Sequence, residues 1–348
     1  MAGRAFNKSV AKLQSTKVLS AVLPGHKYIG THNGTFHCDE ALAVSMLKLL
    51  PRFAAHDILR TRDMNKLEVC EAVVDVGGVY DPKTIRFDHH QKTFTGTMDG
   101  EKTKLSSAGL VYKHFGRDII QTICDNSLSD KVLDIMYQKM YKGFIEHIDG
   151  IDNGVEVATG EQNYSITTSL SSRVGYLNTR WNEPQGDDIV NTRFHEAMKL
   201  TVSEFVERVL YYYEAWLPAR TIVETALANR FTLHASGEII TLPYCPWKSH
   251  LYDIEQELLI AGQIKFVLYE DSTGGMWRIQ AVNVEDGKFA LRLGLPTAWR
   301  GHRDDELSSI AGIPGCTFIH AGGFIGGNKS FEGALAMAAY TLEHQETK

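Results

Sequence analysis

Asp88-His89-His90 sets one carboxylate beside two imidazoles. Such a mixed oxygen and nitrogen donor set suits Mn²⁺ or Mg²⁺-like ions better than the thiolate sets of structural zinc sites. Three other stretches carry residues of the same type. His32, His37 and Asp39 fall within the polar run His32-Asn33-Gly34-Thr35-Phe36-His37-Cys38-Asp39-Glu40. In that run Glu40 reads as a first-turn acid favoured by the dipole of the helix that follows. Asp75 ends an apolar run and precedes Gly77-Gly78. A carboxylate is costly to bury there unpaired, and the glycines let the backbone turn sharply or approach a ligand. Last comes Glu146-His147-Ile148-Asp149-Gly150-Ile151-Asp152, at the end of a helical apolar stripe. Acids at a helix C-terminus oppose the dipole, so this cluster is a good place for a remaining metal ligand, either Asp149 or Asp152.

The elements that must position these groups read as a βαβ succession. A strand over 27–31 leads through the His32–Asp39 loop into an apolar helix ended by Pro51, and strands follow over 57–61, 72–76 and 85–87. In open α/β sheets ligands bind at the carboxyl ends of the strands, and three of these ends deliver ligand-type residues. The first helix is apolar on nearly every side, which implies burial between layers. Ser106-Ser107-Ala108-Gly109 opens another helix, whose first turn can take both a serine cap and a phosphate oxygen. Long helices are expected over 130–151 and 189–216, the second broken by Pro218 and resumed through 229.

After that break the composition turns to hairpins, with strands expected over 237–242, 264–269 and 276–283. Gly322-Gly323 and Gly326-Gly327, just before an Ala-rich helix, are read as bringing backbone N–H groups to an anion. Arg300, Arg303 and Lys329, near Trp277 and Trp299, offer cations beside stacking faces, a combination suited to single-stranded nucleic acid. The expected class is therefore α/β. A mostly parallel sheet with helices on both faces occupies 27–216, and a smaller α+β domain occupies 217–348.

Composition narrows the function. The 348 residues are 43% hydrophobic with a formal net charge of -6, so the chain does not coat nucleic acid through bulk charge. The five cysteines are scattered, without metal-finger spacing, which favours a reducing compartment. No apolar run is long enough to span a membrane. Residues 1–26 hold Arg4, Lys8, Lys12 and Lys17 but no acid. That composition resembles a mitochondrial transit peptide and places the segment outside the packed fold.

Taken together, His32-x4-His37-x-Asp39, Val-Val-Asp75-Val-Gly-Gly, Asp88-His89-His90 and Asp149-x-x-Asp152-Asn-Gly resemble the melanocyte proliferating gene exonuclease family of the DHH phosphoesterase superfamily. The resemblance covers nearly everything after the N-terminal segment and implies a DHH-type catalytic domain holding two divalent cations, Mn²⁺ or Mg²⁺. By that likeness Asp75 would bridge both ions. His32 and His37 would serve one, and Asp39, His89 and Asp149 the other, with Asp152 the alternative to Asp149. His90 would face the substrate phosphate, with Asp88 beside it as the second catalytic candidate. Ser106, Ser107, Arg300, Arg303, Gly322, Gly323, Gly326, Gly327 and Lys329 are the substrate-binding candidates. Relatives commonly carry an Asp where this chain has His37, with one residue fewer after the first His, and their Gly-Gly-Gly-His substrate motif is absent here.

Two such cations, roughly 3.5 to 4 Å apart, stabilise the attacking and leaving oxygens of a phosphoryl displacement. The family likeness implies a 3′-5′ exonuclease on single-stranded RNA, in mitochondrion and nucleus. A small-molecule phosphohydrolase acting on pyrophosphate or short or cyclic nucleotides, and a non-enzymatic binding protein with a structural metal site, are the alternatives.

Overall fold

Six short strands form the first sheet: β1 (Val18–Leu19), β2 (Tyr28–Thr31), β3 (Asp57–Arg60), β4 (Ala72–Val74), β5 (Tyr80–Asp81) and β6 (Arg86–Phe87). Their order is β1-β3-β2-β4-β6-β5, and every neighbouring pair is parallel except β5 with β6. β2, β3 and β4 are buried along their whole length, as strands covered on both faces are. From β2 the chain moves outward to β3, then returns across β2 to β4. The direction of progress thus reverses between β2 and β4, and a crevice opens at the carboxyl ends of strands at such a point. His32 follows β2, Asp75 follows β4 and Asp88 follows β6.

Helices complete this layer. α1 (Cys38–Leu49) is buried at every position and packs against α2 (Ser107–Ile123) and α6 (Asp187–Tyr211). Its one ammonium, Lys48 Nζ, donates to the carbonyls of Ala54 and His56, which satisfies a charge otherwise costly to bury. α3 (Asp130–Met140) and α4 (Glu146–Asp152) are joined by a π-helical turn, Tyr141–Ile145, where a single regular helix was expected. α5 (Leu170–Gly175) follows. The break expected at Pro218 is replaced by a second π turn, Tyr212–Trp216, leading into α7 (Leu217–Ala228). A widened turn accommodates the hydrogen bond that proline cannot make.

The computed structural model describes residues 6–7, 10–11, 13–272, 274–284 and 289–344, in two compact units, Met1–Tyr213 and Glu214–Lys348. Among those residues no helix is long and apolar enough to cross a membrane. The expectation that 1–26 stands outside the fold is corrected for residues 13–26, while residues 1–5, 8–9 and 12, with Arg4, Lys8 and Lys12 among them, lie outside the described residues. Leu13 is fully buried, its carbonyl accepting from His195 Nε2 at 2.9 Å, and β1 pairs with the edge of β3. The Lys17 N–H donates to Asp57 Oδ1 at 2.9 Å, and His26 Nδ1 lies 2.6 Å from Asp57 Oδ2. Two consecutive apolar residues, Val18 and Leu19, are enough to extend an edge when its end acid, Asp57, offers both oxygens.

The second unit has five strands, β7 (Ile239–Thr241), β8 (Phe266–Glu270), β9 (Trp277–Ala281), β10 (Cys316–Ile319) and β11 (Ile325–Asn328), in the order β10-β11-β9-β8-β7. Only β7 with β8 is parallel. α8 (Lys248–Glu257), α9 (Asp304–Ala311) and α10 (Phe331–Glu343) complete the α+β unit. Trp277, read above as a stacking face, instead sits edge-on to Phe331 at 4.8 Å between ring centres and packs against the hairpin core.

Candidate metal centre

Asp75 lies at the middle of the site. Its backbone has φ of +59°, followed by +97° at Gly77 and +67° at Gly78. A left-handed aspartate costs of order 1 kcal/mol or more, and such strain gathers where a side chain must be aimed. The turn presents the two carboxylate oxygens to different partners. Oδ2 lies 3.3 Å from His32 Nε2, and Oδ1 lies 3.3 Å from His89 Nε2. On the first side stand His37 and Glu40, with Glu40 Oε1 at 3.2 Å from His32 Nε2. On the second, His89 Nε2 is 3.2 Å from Asp152 Oδ2 and 3.9 Å from Asp39 Oδ2. His90 Nδ1 is 3.6 Å from Asp75 Oδ1, completing a third grouping with His89. In each grouping the donor atoms lie within 4.8 Å of one another.

These donors fit a cation. Asp39 Oδ1 and both ring nitrogens of His89 are buried without a hydrogen-bond partner. Nε2 of His89 stands within ion-pair range of three carboxylates, those of Asp75, Asp152 and Asp39, so lone pairs converge on a shared point. Burial, and then the charges of Asp75, Asp152 and Glu40, hold the Asp39 carboxyl well above its ordinary range. Burial also pushes Asp75 up, but the adjacent imidazoles of His32 and His89 outweigh it and hold that carboxyl low. At His32 burial opposes the charged ring, while Asp75 and Glu40 overcome it and push the imidazole up to about 10. A divalent ion would replace these protons and relieve the repulsion among four acids.

α2 supports the cluster from beneath. Ser107 Oγ donates to Asp75 Oδ1 and to the Phe87 carbonyl, both at 3.0 Å, and its N–H donates to Asp39 Oδ2 at 3.3 Å. Ser106 donates its N–H and Oγ–H to Asp149 Oδ1 at 2.9 and 2.7 Å. Both serines are fully buried, so the first turn of α2 holds protein carboxylates where a phosphate oxygen was expected. Asp149 is thereby tied to the helix start; it belongs to none of the three donor groupings, whereas Asp152 does. Asp88 is also engaged elsewhere. It accepts from Gly78 N–H at 2.6 Å and from His90 N–H at 3.0 Å, and lies 2.8 Å from His90 Nδ1. Its position makes it a holder of His90.

Glu40 is the donor that sequence reading missed. The signal was its spacing: three residues after His37, it accepts from the His37 N–H in a helix cap, at 2.8 and 2.9 Å, and so faces back toward His32. Lys104 was missed as well and lines the 610 Å³ cavity over the cluster with Phe36, His37, His90 and Asn153.

The second-unit candidates take other places. Gly326 and Gly327 lie inside β11, paired on both sides, and not in a loop before a helix. The Gly322 N–H donates to His320 Nδ1, and the Gly323 N–H to the His320 carbonyl. Arg300 Nε donates to the Leu295 carbonyl, Arg303 lies over the Phe318 ring at 5.9 Å, and Lys329 is exposed.

A carboxylate and imidazole cluster at the switch point of a mostly parallel sheet is an arrangement that could hold metal ions. The chain belongs to the family described as MYG1_exonuc, Uncharacterised protein family (UPF0160), whose model matches residues 28–342. It is 52% identical over 323 residues to the MYG1 exonuclease of Mus musculus, covering 90% of this chain and 84% of that one. It is 52% identical over 318 residues to the MYG1 protein of Dictyostelium discoideum, covering 90% and 96%. The crystal structure of RecJ in complex with Mn²⁺ from Thermus thermophilus is a distant match, with a TM-score of 0.24 and 13% identity over 99% of this chain and 55% of that one.

Proposed function

We propose that this chain is a metal-dependent phosphodiesterase that shortens single-stranded RNA from its 3′ end, in mitochondrion and nucleus. The observation that carries the reading is Asp75, whose two oxygens serve two separate sets of donors. His32, His37, Glu40 and Asp75 would hold one cation, and Asp75, Asp39, His89 and Asp152 the other. Bound there, such ions supply charge neutralisation for the phosphodiester and a lowered pKa for water. The chain's own residues do the rest. Asp88 fixes Nδ1 of His90, which leaves Nε2 as the nitrogen available to a phosphate or leaving oxygen. Lys104 offers that cavity a cation for the same oxygens. The name of the mouse relative, an exonuclease, supports the nuclease reading. The mitochondrial place is supported by the acid-free composition of residues 1–26, and the nuclear one rests on the family likeness alone.

The test is purified protein with Mn²⁺, given 5′-labelled single-stranded RNA and pyrophosphate in parallel. Stepwise loss of 3′ nucleotides, stopped by EDTA, is expected. Hydrolysis of pyrophosphate with intact RNA would move the reading to a small-molecule phosphohydrolase, and no hydrolysis of either would end it. A fluorescent fusion carrying residues 1–26 that stays diffuse in the cytosol overturns the mitochondrial assignment alone.

A further inference from the structure

A second cavity, of 880 Å³, lies within the first unit beside the one over the donor cluster. Ile148, Ile151, Ser171 and Ser172 line both, so the two spaces adjoin along α4 and the start of α5. The lining is largely apolar, with Phe144, Ile148 and Leu170 among it. Val157 and Ile166, which also line it, are 76% and 58% exposed, large apolar groups left facing solvent. Its volume is within the range that encloses a small organic group, roughly 300 to 1,000 Å³. One wall is the π turn Tyr141–Ile145, a distortion that often accompanies a binding site.

Charge decides what enters. Glu146, Glu156 and Glu204 line the cavity, and among the described lining residues Arg208 and His147 are the basic side chains. Arg208 donates to the Gly143 carbonyl at 3.1 Å, and Glu204 and Glu146 are paired with Arg173 and Lys142. With three carboxylates in the lining against one guanidinium, a phosphate is disfavoured there. A flat neutral ring finds apolar walls, with Gln162, Ser171 and Ser172 to hydrogen-bond its edge or sugar. We infer that this cavity takes the terminal nucleoside of the substrate strand while its phosphodiester lies at the carboxylate and imidazole edge. The inference rests on the phosphodiesterase reading, and it names a specificity pocket for it.

Gly150 provides a clean probe. It lines the cavity, and a Cβ built there meets nothing within 4 Å, so the side chain of Gly150→Leu starts from open space and fills part of the cavity. Ile166→Asp alters the exposed rim, where folding is not at stake. Saturation-transfer NMR on the full chain with Mg²⁺ and each of the four ribonucleosides detects binding as weak as about 1 mM. Nucleosides carry no phosphodiester, so occupancy is read without turnover. Signal on base protons is expected with at least one nucleoside, together with a rise of about tenfold or more in Kd for both variants, while ribose 5-phosphate fails to displace it. No nucleoside signal in the wild type, or equal signal in a folded Ile166→Asp, overturns the pocket. RNA hydrolysis persisting in that case would leave the phosphodiesterase reading in place, whereas binding without hydrolysis would remove the reaction and keep the pocket.

Discussion

The carboxyl edge of the first sheet and the middle of the second each hold a glycine pair, and the pairs do opposite work. Beyond β4, Gly77 and Gly78 have positive φ, and a Cβ at Gly78 meets nothing within 4 Å. There the glycine supplies a backbone direction that swings Asp75 into place. In β11 a Cβ at Gly326 would fall 2.2 Å from Ile319 Cδ1 and 2.9 Å from the Phe318 carbonyl. Here the glycine supplies emptiness, so that β10 and β9 close on the strand. The first region keeps buried donors unpaired and acids crowded, while the second is a filled ladder. Polar tension marks the site, and dense packing marks the scaffold.

The largest effect should come from removing the centre of the first region. Asp75→Ala should cut Mn²⁺ affinity by about 100-fold or more, since both donor sets lose a member, while circular dichroism stays native. Near-normal metal uptake by titration calorimetry would break the two-sided assignment. The matching change in the second region is Gly326→Ala, expected to cost about 3 kcal/mol in urea unfolding through overpacking. Gly78→Ala should cost only about 1 kcal/mol, for the left-handed backbone. Equal costs at the two positions would erase the contrast.

The ligand edge was readable because parallel strands align their ends: once 72–74 and 86–87 are strands, Asp75 and His89 must meet near His32. What was not readable is how the remaining groups divide. Ser106 and Ser107 fit a phosphate and a protein carboxylate equally well by type, and only packing against Asp149 and Asp75 decides. Gly326-Gly327 has a loop composition and is a strand because its neighbours leave room only for hydrogen. The N-terminal segment was read by charge alone, which hid Leu13 and the Val18–Leu19 pairing. Deleting residues 1–26 should therefore cost about 2 kcal/mol through the lost Leu13 burial and the β1 edge. A truncated protein with an unchanged urea midpoint would return the segment to the status of a tail.

The smallest expected effect separates the two acids of α4. Asp152 stands among the donors, while Asp149 is bound to Ser106, with Gly109 leaving the space: a Cβ there would lie 2.4 Å from its oxygens. Asp152→Asn should weaken Mn²⁺ binding about tenfold, and Asp149→Asn should leave it nearly unchanged, because an amide oxygen accepts the same two bonds from Ser106. Asp149 should show itself in stability instead. Burial pushes its carboxyl up to about 7 from 3.8, against the hydrogen bonds from Ser106. The unfolded chain therefore loses this proton first, near 3.8, and the folded chain only near 7. Across that window ionisation favours unfolding, so the wild type should lose stability relative to Asp149→Asn as pH rises, with no further change above about 7. Melting curves of both proteins in EDTA at several pH values between 4 and 8 measure it. A stability gap that stays constant with pH would mean that Asp149 ionises normally, and a fall in metal affinity in Asp149→Asn as large as in Asp152→Asn would place it among the ligands after all.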